Sequence, residues 1–119
     1  FSAVSKQLPR LKSMGVDIIW LMPIHPIGVK NRKGSLGSYY AVQDYKAVNR
    51  EFGNMGDFQS LVKEAHKLNM RVIIDWVANH SSPDNVWIEQ GFLDWYTLDS
   101  TGNVQWEIYN LPLEQIGGM

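Results

Sequence analysis

The chain contains no cysteine, which excludes disulfide staples and thiolate metal sites but fixes no compartment. No apolar run approaches the roughly 20 residues that a membrane-spanning helix needs. An excess of one charge is lacking too: 11 Lys and Arg stand against 12 Asp and Glu, a net charge of -1. Nothing in that balance attracts nucleic acid or an anionic membrane, so neither is expected as a partner. There is no internal repeat, no low-complexity tract and no His-x-x-x-His pair of the kind that chelates zinc. The chain opens on Phe1 rather than Met, so its natural N-terminus is expected to lie further upstream, and localisation stays unassigned.

What is present is ordinary globular material. Of 119 residues, 45% are hydrophobic and 19% charged, enough for one modest core and too apolar for disorder. Val4, Leu8 and Leu11 stand at i, i+4 and i+7, a helical spacing. Pro9 interrupts that segment, so the helix is expected either to kink there or to begin its firm part nearby. Gly15 is a natural stop. Val16 to Met22 then form a short, nearly continuous apolar run closed by Pro23, which reads as a strand buried on both faces. From Ile24 to Gly53 periodicity is lost. A connection of about 30 residues is unusually long, and such loops often carry function. Asn31-Arg32-Lys33-Gly34 reads as an exposed turn within it.

A second helix is clearer. Asn54 can cap it with Asp57 three residues on, Phe58, Leu61, Val62, Ala65 and Leu68 make one apolar stripe, and Asn69 suits the left-handed C-terminal position. Arg71 to Val77 follow as a second buried strand. Two such strands joined through a helix make a βαβ unit of an α/β fold. Beyond His80 the pattern dissolves: Ser81-Ser82-Pro83-Asp84-Asn85 is a turn cluster, and Trp87 to Tyr109 an irregular, aromatic-rich excursion.

Ligands of parallel α/β folds meet the loops at the C-terminal strand ends. Asp75 sits at such an end, with Asn79 and His80 close behind. A carboxylate, an amide and an imidazole together can hold a hard cation or a polyhydroxylated ligand, with oxygen donors favouring calcium over zinc. Each also has an ordinary reading. Asp75 could be a structural carboxylate, and an Asn-His pair after a strand is more often a turn. Asn79-His80-Ser81 fits a glycosylation sequon, a pattern common by chance. Tyr39, Tyr40 and Tyr45 could stack on sugar faces from the long loop, although loop aromatics mostly pack the loop down. Trp20 and Trp76 read as core. His25 reads as a loop residue near a strand end, and His66 as a helix-surface residue.

Several of these segments fall into one order: Gly15 to Ile24, Tyr40, Asp44-Tyr45, Phe52-Gly53, Ala65-His66, and Asp75-Trp76-Val77-Ala78-Asn79-His80. In that order, over roughly residues 1 to 88, the chain resembles the α-amylase family, family thirteen of the glycoside hydrolases. The resemblance implies a partial (β/α)8 TIM barrel of class α/β. Residues 1–80 would supply about strands two and three with flanking helices, and residues 81–119 the start of the domain that protrudes after strand three. It also implies roles. Tyr40 is similar to a tyrosine that stacks on the sugar before the scissile bond, and His80 to a histidine that hydrogen-bonds that sugar. Asn79 is similar to an asparagine that often ligates a structural calcium, while Asp75 and Asp44 are similar to carboxylates that support the site. The implied partner is an α-glucan or maltooligosaccharide.

The family's retaining chemistry needs two carboxylates about 5 Å apart, supplied by an Asp after strand four in a Gly-Phe-Arg-x-Asp setting and a Glu after strand five. None of Asp84, Asp94, Asp99, Glu107 or Glu114 sits in such a motif, and a whole barrel takes about 250 residues. The chain is therefore expected to be a fragment holding sugar contacts without catalytic carboxylates. Alone, it should be inactive and poorly folded or aggregating. The alternatives are a transglycosylase, isomerase or phosphorylase relative, a non-catalytic binding or scaffold protein on the same barrel, or an unrelated α/β domain.

Overall fold

The structure, a computed structural model, describes residues 1–105. The chain divides into two compact units, Phe1–Val86 and Trp87–Met119, so the division falls six residues past His80. Trp106 to Met119, including Glu107, Tyr109 and Glu114, lie outside the described residues.

In the first unit, α1 (Ser2–Ser13) leads to β1 (Ile18–Leu21), then α2 (Met55–Lys67) and β2 (Arg71–Ile74). α1 runs through Pro9, so the helix neither breaks at the proline nor begins near it. Proline inside a helix costs about 3 kcal/mol in its own right. Leu8 is fully buried beside it, and Val4 and Leu11 pack on the same core, so tertiary packing holds the helix in register. The chain leaves α1 through Gly15 at φ 92, with Val16 N–H donating back to Leu11 O at 3.1 Å. This closes the last turn in the glycine-terminated manner.

α2 starts on a reciprocal cap. Asn54 Oδ1 accepts the Asp57 N–H at 3.0 Å, and Asp57 Oδ2 accepts the Asn54 N–H at 2.9 Å. Two otherwise orphaned donors are satisfied at once. At the other end Asn69 takes φ 54, as its position after the apolar stripe suggested, and Met70 N–H returns to Ala65 O at 2.9 Å.

β1 and β2 pair in parallel, Ile18 opposite Arg71 through Leu21 opposite Ile74, and Asp75 N–H extends the ladder to Leu21 O at 2.9 Å. The strands are shorter than the apolar runs that contain them, and they are not buried on both faces. Leu8, Leu61, Ala65 and Met70 form a core, against which Ile19, Leu21 and Val72 pack. The opposite face carries Ile18, Trp20 and Ile73, with Trp20 67% exposed, and Trp76 just past β2 is 73% exposed. The expectation that both tryptophans are core is thus corrected. A sheet needs a layer on each face to bury both, and among the described residues α1 and α2 cover only one.

The long connection after β1 is ordered by its own ladder. Ile27 and Val42 bridge in antiparallel fashion, Gly28 N–H donates to Ala41 O, and Gln43 N–H donates to Pro26 O. Arg32 reaches back to the Gly28, Ile27 and Ser35 carbonyls. This closes an exposed tip in which Asn31 adopts φ 58.

The described residues of the second unit are mostly irregular. A single helical turn, α3 (Val86–Glu89), spans its start, and a 3-10 turn covers Leu93–Trp95. Trp95 stacks on Phe92 at 4.9 Å and meets the edge of Trp87 at 5.2 Å. Leu98 and Val104 bridge across a tight turn in which Asp99 Oδ1 accepts from Thr101 Oγ1 and from the Thr101 and Asn103 N–H groups. Among the described residues no helix is long and apolar enough to cross a membrane.

Replacing Asn54 by alanine should destabilise the first unit by about 1 kcal/mol, the usual cost of losing such a cap. Urea denaturation followed by far-ultraviolet circular dichroism measures it, and an unchanged midpoint would show that the cap is not stabilising.

Candidate functional site

Tyr40, Asp75, Asn79 and His80, singled out from the sequence, lie past the C-terminal ends of β1 and β2. Asp75 is the first residue beyond β2, held there by its own ladder bond to Leu21. The Tyr40 hydroxyl, delivered by the long connection, donates to Asp75 Oδ2 at 3.0 Å. The hydrogen bond to this carboxylate holds the Tyr40 phenol above its ordinary pKa, with desolvation and the carboxylate's charge adding to it.

Asn79 and His80 are exposed on the segment after β2. Asn79 Nδ2 lies 3.3 Å from His80 Nδ1. The donor and acceptor roles in this contact are set by the tautomer of the ring. Asp44 does not join these groups: its Oδ1 accepts the Lys46 N–H at 2.8 Å and shapes its own turn. The structure thus yields a Tyr40–Asp75 pair and an Asn79–His80 pair on one strand end. His66 is exposed on α2, and His25 Nδ1 lies 3.0 Å from Ala47 O in the long connection.

Tyr45, which the sequence offered as a possible sugar-stacking ring, and a set of turn residues that it read only as a turn tie the surrounding loops together. The Tyr45 hydroxyl lies 2.7 Å from Val77 O and 2.8 Å from His80 O. Val42 O accepts from Ser82 N–H at 2.9 Å, Ser82 Oγ at 3.0 Å and Asn85 Nδ2 at 3.0 Å, with Val42, Ser82 and Asn85 all buried. Asp84 Oδ2 accepts from Val29 N–H, Lys30 N–H and Gln43 Nε2. Its Oδ1 is buried with no hydrogen-bond partner among the described residues. The turn cluster Ser81 to Asn85 is therefore a polar seam joining the loop after β2 to the loop after β1. Nothing in its composition separates it from a solvated turn, because its partners lie 40 or more positions away.

Gly28 is the close-approach point of that seam. A Cβ built on it would lie 2.2 Å from Ser82 Cβ and 2.6 Å from both Ser82 Oγ and Asp84 Oδ1. Only glycine admits this backbone contact.

As to metal, Asn79 offers one amide oxygen, and no group of three His, Cys, Asp or Glu side chains gathers anywhere among the described residues. Calcium takes six to eight oxygen ligands. The described residues do not make such a site by themselves.

A parallel strand pair that displays phenol, carboxylate, amide and imidazole groups beyond its C-terminal ends has the ligand-facing arrangement of α/β barrel enzymes. Residues 1–105 match the family model described as the α-amylase catalytic domain, and the chain belongs to that family. It is 39% identical over 84 residues to an oligo-1,6-glucosidase of Halalkalibacterium halodurans, an alignment covering 71% of this chain and 14% of that protein. It is 34% identical over 114 residues to an α-1,4-glucan:maltose-1-phosphate maltosyltransferase of Chlorobaculum tepidum, covering 84% of this chain and 17% of that protein. The chain therefore spans about a seventh to a sixth of the curated relatives it matches. Among solved structures, an α-amylase from Lactobacillus plantarum superposes with a TM-score of 0.84 at 43% identity, covering 92% of this chain and 26% of that one. A maltogenic α-amylase from Thermotoga neapolitana gives 0.82 at 48% identity, covering 85% and 24%. The βαβ unit is thus a part of the α-amylase barrel fold.

Two predictions follow from the seam. Gly28→Ala should cost about 1–3 kcal/mol, the range for overpacking a close contact. An unshifted denaturation midpoint would argue against the Gly28–Ser82 approach. For Asp84, burial raises the pKa, but the Val29 N–H, the neighbouring Ser82 hydroxyl and the Lys30 N–H outweigh it, and the net shift is downward. A carboxyl depressed in the folded state contributes stability above its unfolded value near 4 and loses it as pH falls through the folded value. Thermal melting from about pH 7 to pH 2 should accordingly show a shallower acid loss for Asp84→Asn than for the native chain. Superimposable profiles would remove Asp84 from the account.

Proposed function

We propose that this chain forms part of the substrate-binding side of a retaining glycoside hydrolase acting on α-glucosidic bonds, of the α-amylase or oligo-α-glucosidase type. The carrying observation is the Tyr40–Asp75 hydrogen bond at a strand end within a segment that matches the α-amylase catalytic domain. β1 and β2 serve as barrel strands two and three, and the segment after the seam opens the protruding domain.

In this reading Tyr40 presents its ring to the sugar before the scissile bond, with the Asp75 carboxylate fixing the phenol and so the ring's tilt. A ring face against the C–H face of a sugar gives apolar contact without consuming the sugar's hydroxyls. His80 offers its imidazole to a hydroxyl of the same sugar. Asp44 supports the loop that carries Tyr40. Asn79 contributes one oxygen to a calcium site completed by other segments, where the ion would tie barrel to protruding domain. The nucleophile and the acid/base, about 5 Å apart in retaining enzymes, come from elsewhere in the protein, and the 119-residue chain alone is inactive.

The full-length protein should hydrolyse a maltooligosaccharide with net retention at the anomeric carbon, read by proton NMR of the first-formed product. His80→Ala should lower kcat/KM by roughly 10–100-fold, the loss expected for one hydrogen bond to bound sugar. No turnover of any α-glucoside, or turnover by the 119-residue chain alone, would sink this reading. Transfer in place of hydrolysis is the second reading, favoured by the maltosyltransferase relative, whose alignment covers more of this chain than that of the oligo-1,6-glucosidase. Product analysis with a maltosyl donor and a glucan acceptor distinguishes the two.

A further inference from the structure

We propose that Tyr45 is the positioning residue of the strand-end site, setting the orientation of His80 through the backbone rather than touching the sugar. The inference rests on the sugar-contact reading of His80 only for its effect on turnover.

The geometry is specific. A phenol carries one proton, yet the Tyr45 oxygen lies 2.7 Å from Val77 O and 2.8 Å from His80 O. Both carbonyls can only accept, so the proton is shared between them or alternates. The two acceptors bracket Ala78 and Asn79, and one hydroxyl therefore fixes the chord of the turn that presents Asn79 and His80. That turn lies outside the β2 ladder, which ends at Asp75 N–H, and the seam resumes only at Ser82. Asn79 and His80 themselves are exposed, so they have little packing of their own to hold them.

Tyr45 is itself held. The edge of the His25 ring meets it at 5.7 Å between centroids, and His25 Nδ1 lies 3.0 Å from Ala47 O. A carbonyl requires Nδ1 to carry the proton. Asp44, one residue before, shapes the turn through Lys46 N–H. A rigid loop from the end of β1 thus reaches across to grip the end of β2. The grip falls on the stretch that carries the sugar-facing imidazole.

The test uses Tyr45→Phe in the full-length protein, since phenylalanine keeps the ring packed on His25 and removes only the hydroxyl. Crystal structures of the native and variant proteins should show the B-factors of residues 78–81 raised about twofold relative to α2 in the variant; a turn unchanged in position and B-factor overturns the proposal. The second arm is a double-mutant cycle on kcat/KM for a maltooligosaccharide. Tyr45→Phe should cost about tenfold in the native background and less than twofold in His80→Ala. Equal losses in both backgrounds would show that Tyr45 does not act through His80 and overturn it. If His80→Ala alone changes nothing, the sugar-contact reading fails, and the crystallographic comparison still decides whether Tyr45 holds the turn.

Discussion

The Val42 carbonyl is where the loops of this molecule are joined. Three donors converge on it: the Ser82 N–H, the Ser82 hydroxyl and the Asn85 amide. An sp² oxygen has two lone-pair directions, so the contact is crowded, and it is fully buried. Breaking it would strand polar atoms away from water, which costs more than the bonds gain when made. That asymmetry makes the seam an all-or-none feature. Val42 is fixed to Ile27 by the bridge within the long connection, and Ser82 lies two residues past His80. The segment after β2 is thereby tied back to the long connection just past His80.

The core beneath the site is one-sided. Helices α1 and α2 and the inward-facing Ile19, Leu21 and Val72 bury one face of the parallel pair. The strand sequences are nevertheless apolar on both faces, as in strands covered by two layers. Trp20 and Trp76 carry large apolar surfaces that the described residues leave in water. A composition suited to two-sided burial, seen with one side covered, accords with the fact that the chain spans only a small share of its relatives' length.

Much of this was legible from local chemistry. The α2 cap, the left-handed Asn69 and the glycine exit from α1 depend on residues within six positions of one another, and sequence spacing records such interactions directly. Parallel pairing was legible because two short apolar runs flank a helix. The errors were of two kinds. Apolar runs overstate strand length and burial, because Val16, Met22 and Trp76 look the same whether or not a second layer covers them. Of the two outcomes Pro9 suggested, a firm helix beginning only near it does not hold, since α1 starts at Ser2. At the site, Asp75, Asn79 and His80 could be picked out from one linear stretch. The contacts of Tyr40, Tyr45 and Asp84 span 32 to 55 positions, and no spacing rule encodes them. Family order placed Tyr40 and Tyr45 in the long connection, but neither the backbone contacts of the Tyr45 hydroxyl nor those of Asp84 had any signal there.

The strand-end loops are gripped chiefly by main-chain atoms. Tyr45 holds the carbonyls of residues 77 and 80, Ser82 and Asn85 hold that of residue 42, and Asp84 holds the amides of residues 29 and 30. A carbonyl is the same whatever side chain its residue carries, and an amide N–H is too for any residue but proline. The grip on residues 29, 30 and 77 therefore does not depend on the side chains they carry. Such an arrangement lets ligand preference drift by substitution at these positions while the frame stays constant, with Gly28 and the gripping residues as the fixed points of the variation.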